Sequence, residues 1–262
     1  MSWSPFPPQT EELQFDEKWA FVYQKEKRCD PDDPADDRRG DNWDHVVLDA
    51  EHRLVLDSVP GKRGQLRVRR AVESARRRLA NRIPRLITSD EFRAYREEIL
   101  RAWGIREAAA RTGRPGRPRH GRIVAPPELL YATVHKTRKN GRVVKVEPRL
   151  VFGTEERLKA ALTTSSVSRT VNTSFLERQN GTDRHRNSRK VRKTYRFSKD
   201  WDIHNACSCF AQFSYNFCWP VRTLAQTAPD GSCLPYTPAM AAGLTDHVWP
   251  LEEWLLFPAR AS

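Results

Sequence analysis

Cysteine is scarce in this 262-residue chain, and its spacing fits none of the sites that cysteine usually forms. The five cysteines are an odd number without a secretory pattern, which argues against a disulfide framework. No Cys-x-x-Cys pair and no Cys/His quartet with zinc spacing is present. We therefore expect buried thiols in a reducing compartment and no zinc site.

Long apolar segments are missing as well. No run of eighteen apolar residues occurs, and the first residues lack the charged and apolar regions of a signal peptide. The sequence therefore predicts no membrane partner and a cytoplasmic location.

Basic residues, by contrast, are in excess. The chain carries 46 Lys and Arg against 33 Asp and Glu, with a formal net charge of +13 and a pI of about 9.9. Clustered cations gain affinity for a polyanion by releasing its counterions, so a nucleic acid is the expected partner. A hydrophobic content of 38% is enough for a packed core.

Hydrophobic periodicity predicts one α/β domain at residues 15–220, between a proline-rich lead-in at 1–14 and a tail at 221–262. The first half of this domain reads as strand, hairpin, helix, strand and helix. The predicted strands cover 15–24, 43–49, 54–59 and 85–88, and the predicted helices cover 65–80, 91–103, 154–162 and 201–219. In the last of these helices, Ile203, Phe210 and Phe217 share one face that we expect to be core.

Residues 104–152 are expected to be an insertion in this domain. The stretch 111–122 has five arginines, three glycines, two prolines and no acid, which is typical of a flexible basic loop. Alternating segments at 131–135 and 143–151 flank Lys139-Asn140-Gly141 and predict a β-hairpin.

The segment 172–193 contains only two acids, Glu177 and Asp183. In a helix, Glu177 shares a face with Asn180 and Arg184, while Val171 and Phe175 form a narrow apolar stripe on the opposite side that could dock on a sheet. A carboxylate among cationic groups suits metal binding beside a phosphate backbone. A solvated surface helix is the alternative.

Three acids stand out by their position. Asp16 lies in the first strand, Asp90 follows the fourth strand, and Glu177 lies on a late helix. If the first and fourth strands are neighbours, these acids can converge and hold two Mg²⁺ or Mn²⁺ ions through hard oxygen ligands. Two such ions would clamp the attacking and leaving oxygens of a phosphoryl displacement.

Neighbouring acids are the alternatives to this assignment. Glu17 should point to the other face of the sheet by strand alternation, which argues against it. Glu91 is one step from Asp90, and the sequence does not separate the two. Asp49 and Asp57 lie at the ends of hairpin strands and are expected in turns, and Asp183 lies off the Glu177 face.

Several segments resemble one enzyme family. LQFDEKWAFV, LITSDEFRAY and NTSFLERQNGTDRHR look like the three acidic motifs of DDE transposases of bacterial insertion sequences. SYNFCWPVRTL and TPAMAAGLTDHVW resemble their C-terminal segments. The resemblance implies a ribonuclease H-like mixed sheet flanked by helices, with the basic loop and hairpin inserted before the last catalytic helix. It also implies Mg²⁺-dependent cleavage at the element ends, followed by attack of the 3′ hydroxyl on target DNA.

Carried over to this chain, the resemblance makes Asp16, Asp90 and Glu177 the metal-binding triad, with Asp16 bridging both ions. Asn180 matches the polar position after the glutamate, and Arg184 matches the basic residue two helical turns beyond it. Phosphate contacts are expected from the cations of the basic run, which are Arg184, Arg186, Arg189, Lys190, Arg192 and Lys193.

The implied partners are the terminal repeats and the target DNA, in a homo-oligomeric synaptic complex associated with the nucleoid. No helix-turn-helix or zinc module precedes Asp16, so we expect either fusion to an upstream reading frame that carries a DNA-binding module or a truncated remnant. The rival hypotheses are a non-catalytic DNA-binding repressor and a nuclease that cuts without strand transfer.

Overall fold

The computed structural model describes residues 9–108, 121–191 and 193–257. In this part of the chain the strands are β1 (Glu12–Val22), β2 (Gly40–Asp49), β3 (Leu54–Gly61), β4 (Leu86–Ser89), β5 (Ile105–Glu107), β6 (Arg122–Val124), β7 (Tyr131–Lys139), β8 (Arg142–Phe152), β9 (Gln226–Thr227) and β10 (Cys233–Leu234). The α-helices are α1 (Gln65–Arg78), α2 (Arg93–Trp103), α3 (Glu155–Thr164), α4 (Ser174–Arg186), α5 (Trp201–Cys218), α6 (Pro238–Ala241) and α7 (Leu251–Leu256). None of the described helices is both long and apolar enough to cross a membrane.

Six strands form one mixed sheet in the order β3-β2-β1-β4-β7-β8. β1 is antiparallel to β2 and parallel to β4, β4 is parallel to β7, and β7 is antiparallel to β8. The predicted α/β class with a mixed sheet is confirmed, and the first and fourth strands are neighbours. β1 begins at Glu12, earlier than predicted, because Leu13 already alternates into the core and is fully buried.

The hairpin of β7 and β8 belongs to this sheet, so the prediction that it is part of an insertion was wrong. β7 pairs with β4 from Tyr131 to Thr133, and both Tyr131 and Ala132 are buried. Its alternating pattern is the same for a core strand and for an inserted hairpin, which is why the sequence did not distinguish them. β5 and β6 form a separate two-stranded ribbon, and residues 111–120 of the predicted basic loop lie outside the described residues.

Strand alternation gives the sheet two covered faces. On one face, α1 and α2 pack against a cluster that includes Phe15 and Tyr95. On the other face, α3 contributes Leu158 to one cluster, while α4 and α5 contribute Leu176 and Tyr215 to another. The residues that follow β4 therefore lie between two layers of helices.

α5 turns a polar face to the sheet, contrary to the prediction that its apolar residues form the core contact. Ile203 is 53% exposed and Phe210 is 42% exposed. The side chain of Asn216 instead bonds both backbone groups of Val55, accepting from N–H at 2.9 Å and donating to C=O at 2.8 Å. β3 is an edge strand whose backbone groups need partners, so an amide is favoured there over an apolar side chain.

The residues after α5 pack on its outer side. Phe217 lies 4.7 Å from Trp249 between ring centroids, and Phe210 meets Trp254 edge to face at 5.2 Å. The aromatic face of α5 is thus covered in part by the C-terminal segment rather than by the sheet.

Candidate metal centre

β4 is shorter than β1 and β7, its two neighbours in the sheet, and the candidate site lies just beyond its C-terminal end. Ser89, the last residue of β4, pairs with Phe15 of β1 and with Thr133 of β7. β1 continues to Val22 and β7 continues to Lys139. A gap about 10 Å wide, twice the spacing of neighbouring strands, therefore opens beyond Ser89. Ligands of open α/β sheets bind in crevices of this kind, beyond the carboxyl ends of strands.

Three carboxylates meet at this gap. Asp16, Glu17 and Asp90 each offer an oxygen, and these oxygens all lie within 4.8 Å of one another. Asp16 directly follows Phe15 and Asp90 directly follows Ser89, so the parallel register of β1 and β4 brings the two predicted acids together. Carboxylate oxygens at this spacing fit the donor set of Mg²⁺ or Mn²⁺.

The prediction that strand alternation keeps Glu17 away from the other acids was wrong. Glu17 does face the α1–α2 side, where its Oε2 accepts a hydrogen bond from Arg63 at 3.1 Å. However, β4 covers the edge of β1 only as far as Phe15, so side chains from both faces can turn round the open edge towards Asp90. Alternation separates two side chains only where a neighbouring strand fills the space between them.

Asp90 and Glu91, which the sequence left as alternatives, have different partners. Asp90 Oδ1 accepts the backbone N–H of Phe92 at 3.0 Å, and this contact fixes the carboxylate at the turn after β4. Glu91 instead pairs with Arg149 at 2.7 Å and with His135. Glu91 is therefore neutralised on the β7–β8 side, while Asp90 belongs to the carboxylate group.

Burial and mutual repulsion destabilise the charged forms of these acids. Burial, reinforced by the nearby charge of Asp90, raises the pKa of Asp16 to about 6. The same two causes raise the pKa of Glu17 to about 7, against the opposing effect of Arg63. A bound cation would remove this repulsion, which is the electrostatic signature expected of a metal centre.

Polar contacts hold α4 on β1 in addition to the predicted apolar stripe, in which Val171 and Phe175 pack against buried residues of the sheet. Gln14 accepts the N–H of Leu176 at 3.0 Å, and Asn180 donates to Asp16 Oδ2 at 2.9 Å. One step further along the strand, the ammonium group of Lys18 donates to Asp183. Alternate residues of β1 thus contact successive turns of α4, and this register places Asn180 directly on the carboxylate group.

Glu177 lies on the same rim but outside the group of three. Its Oε1 accepts hydrogen bonds from Thr173 at 2.9 Å and from Lys136 of β7, and its side chain is 47% exposed. Its charge is close enough to Asp16 to contribute to the raised pKa of that residue. The structure therefore brings Asp16 and Asp90 together and leaves Glu177 paired with a cation at the edge of the gap.

Two of the side chains that were predicted to contact DNA bind other groups within the protein instead. Lys190 is only 3% exposed and pairs with Asp44, with Asp183 at 3.8 Å, so its predicted phosphate contact is replaced by an internal ion pair. Arg186 stacks on Trp219 with its guanidinium carbon 3.8 Å from the ring centroid. A run of cations in the sequence therefore did not correspond to a continuous basic surface.

The other predicted contacts differ in their exposure. Arg184 and Arg189 are partly buried, whereas Lys193 is exposed. Arg192 lies outside the described residues.

Asp49, Glu51 and His52 form a second acidic group that could hold a metal. The geometry explains it as a turn, as predicted for Asp49. Its Oδ1 accepts the N–H groups of Glu51 and His52, both at 3.0 Å, and its Oδ2 accepts from the Thr10 hydroxyl and approaches the His52 ring at 2.7 Å. These hydrogen bonds fix the connection between β2 and β3 and leave no unused carboxylate oxygen on Asp49.

Asp16→Asn is expected to stabilise the metal-free protein at pH 7.5 by about 1–2 kcal/mol. The folded state holds the Asp16 proton up to about pH 6, whereas the ordinary value is 3.8, so ionisation costs stability as the pH rises through this window. The difference from the wild type should disappear below about pH 4 and should shrink when Mg²⁺ is added at pH 7.5. Urea unfolding of both proteins measures it.

The pH dependence of the wild type alone would not isolate Asp16, because other groups gain stability over the same pH range, and the comparison with the mutant removes their contribution. Burial lowers the pKa of His204 to about 4, which adds stability as the pH rises from about 4 to 6.5. Equal stability of wild type and Asp16→Asn at pH 7.5 without metal would contradict the repulsion described above.

Neither family models nor curated proteins match this chain. The resemblance to DDE transposases therefore remains a prediction from short motifs.

Proposed function

We propose that the chain is a DDE transposase catalytic domain that cleaves DNA at the ends of an insertion sequence and joins the freed ends to target DNA. The observation that carries this proposal is the meeting of Asp16 and Asp90 at the end of β4, beneath a helix that carries Asn180 and Glu177. The strand order, with an antiparallel β2 and parallel β4 and β7 around β1, supports a ribonuclease H-like fold.

The residues present fit a pair of divalent ions. As the resemblance implies, Asp16 would be a ligand of both ions, and Asp90 and Glu177 would hold one ion each. Bound there, Mg²⁺ would polarise the phosphodiester and activate the attacking water or 3′ hydroxyl. Asn180 orients Asp16, because its amide donates to Oδ2 of that carboxylate at 2.9 Å.

Lys136 would contribute to catalysis as well as pairing with Glu177. Its ammonium group pairs with Glu177 and thereby holds that carboxylate at the rim when no ion is bound. If Glu177 held an ion, the Lys136 ammonium group would be free to stabilise negative charge on the substrate phosphate.

A basic groove beside the carboxylates supports DNA as the substrate. The groove has a volume of about 400 Å³, and Arg93, Arg96 and Arg149 lie along it. It begins at Glu91, directly after Asp90, so a DNA backbone lying in it would bring a phosphate towards the gap. Contacts of this kind position DNA without reading its sequence, so recognition of the terminal repeats would require a further DNA-binding module or a second subunit in a synaptic complex.

The test is cleavage and joining of labelled duplexes that contain the DNA flanking the coding sequence, in Mg²⁺ and in EDTA. The chain is assayed alone and in a fusion to any reading frame that lies directly upstream. Metal-dependent nicks followed by joined products are expected. Nicks without joining would identify a nuclease, and binding in EDTA without cleavage in Mg²⁺ would identify a repressor. Either result would overturn the proposal.

A further inference from the structure

We propose that Glu17 is a third carboxylate ligand of the ion held by Asp16 and Asp90. The inference deepens the proposed function and rests on it for its place in catalysis, but metal binding itself can be tested without DNA. With the triad that the motifs imply, Asp16 and Asp90 alone would hold the first ion, so the two assignments differ in the role of Glu17.

The first observation is an unsatisfied buried oxygen. The side chain of Glu17 is 2% exposed, and its Oε1 accepts no hydrogen bond. A buried carboxylate oxygen without a donor is costly, and in a native protein it calls for a partner. The carboxylate lies within 4.8 Å of those of Asp16 and Asp90, and no cation among the described side chains bonds Oε1.

The second observation is that the other half of the carboxylate is held rigidly. Oε2 accepts from Arg63 at 3.1 Å, and the Arg63 guanidinium lies 4.1 Å from the ring centroid of Phe92 and 4.9 Å from that of Trp43. Arg63 thus fixes the carboxylate plane and leaves Oε1 for the ion. Ligands oriented by a neighbouring group in this way bind metals more tightly than free ones.

The hydroxyl of Tyr95 is a third indication. Tyr95 is fully buried, and its hydroxyl lies beside the Glu17 carboxylate without a hydrogen bond of good geometry. The charges of Glu17, Asp90 and Asp16 all act on it. A water molecule on an ion held by these carboxylates would give this hydroxyl the partner it lacks.

The assignment separates the two ions. The first ion would have three carboxylates from β1 and the end of β4, all present without DNA. The second would depend on Glu177, which is paired with Lys136, and would bind with the substrate phosphate. One ion should therefore bind to the free protein and a second only when DNA is present.

The test measures Mn²⁺ binding to the full chain by electron paramagnetic resonance at pH 7.5 without DNA. Glu17→Gln keeps the shape of the side chain and should weaken binding of the one Mn²⁺ by 10-fold or more. Glu98→Gln is the matched control, because Glu98 is equally buried, lies on the same face of the sheet and pairs with Arg69 at 3.0 Å away from the site. Its Mn²⁺ affinity should equal that of the wild type, as should that of Glu177→Gln.

If Glu17→Gln folds poorly, a second variant at Arg63 tests the same ligand assignment. Arg63→Met removes the guanidinium that orients the Glu17 carboxylate and should weaken Mn²⁺ binding by about 10-fold. If Glu17 serves only as a partner for Arg63, neither Glu17→Gln nor Arg63→Met will change the affinity, and the inference is wrong. Loss of binding in Glu177→Gln with none in Glu17→Gln would also overturn it.

Failure of the inference differs from failure of the proposed function. Mn²⁺ binding that depends on Glu17, in a protein that never cuts DNA, would leave the ligand assignment standing and refute the transposase. Metal-dependent cleavage and joining by a Glu17→Gln protein with wild-type Mn²⁺ affinity would refute the ligand assignment and leave the proposed transposase standing.

Discussion

Replacement of Asp90 by asparagine is expected to lower the rate of Mg²⁺-dependent DNA cleavage on the order of 1,000-fold. Asp90 is the acid of the β4 end, and its carboxylate meets those of Asp16 and Glu17. The amide keeps the size of the side chain and can still accept the N–H of Phe92, so the turn should be preserved. What it loses is the negative charge that holds an ion in the gap. Single-turnover cleavage of labelled duplex DNA measures the effect.

Glu91→Gln is the matched control for this variant. Glu91 is the next residue in the chain, but its carboxylate faces Arg149 and His135. We expect the Glu91 variant to keep its cleavage rate within a few-fold of the wild type. A large loss in Glu91→Gln with little loss in Asp90→Asn would show that the carboxylate assignment is reversed.

Replacement of Lys18 by methionine is expected to lower the free energy of unfolding by about 3–5 kcal/mol. Lys18, Asp44, Asp183 and Lys190 form a closed group of two cations and two anions, and none is more than 3% exposed. Removing one cation leaves an uncompensated buried charge. The group joins β1, β2 and α4 to the Ser188–Lys190 turn, so the loss should also loosen the helix that carries Asn180. Urea unfolding measures the change.

The control for Lys18→Met is an exposed ion pair. Arg38 and Asp202 are 59% and 73% exposed in their side chains, and solvent screens their attraction. Arg38→Met should therefore leave the unfolding curve almost unchanged. Equal, small effects of the two methionine variants would mean that the buried group contributes no more than a surface pair.

The position of the acid pair could be predicted from the sequence because it depends on local signals. A short apolar strand that ends in Ser89-Asp90 and an alternating strand that contains Asp16 are visible in the residues themselves. Once β1 and β4 are neighbours, their parallel register places Asp16 beside Asp90. The sheet class was predictable for the same reason, because each predicted strand has a local signal, either alternation or a short apolar run.

The docking of α4 and α5 could not be predicted in this way. Both helices bury polar side chains, among them Asn180, Asp183 and Asn216, which a hydrophobic pattern assigns to solvent. Their partners are far away in the sequence, as with Lys18 and Asp183, 165 residues apart. A polar residue is buried only when its particular partner is present, and no periodicity encodes that pairing.

Glu17 shows a second limit of predicting side-chain positions from strand alternation. Alternation placed it correctly on the α1–α2 face, but the inference that it is remote from Asp16 assumed a continuous sheet. Only the early end of β4 at Ser89 opens the edge around which both carboxylates turn. The length of a strand relative to its neighbours is a property of the assembled sheet.

The most direct test of the central claim is anomalous diffraction from crystals grown with Mn²⁺ and a short DNA duplex. We expect a manganese peak about 2.0–2.6 Å from carboxylate oxygens of Asp16 and Asp90, with a phosphate oxygen of the duplex in the same coordination sphere. A duplex bound in the basic groove with no manganese at these carboxylates, or with manganese only at Asp49 and His52, would contradict it.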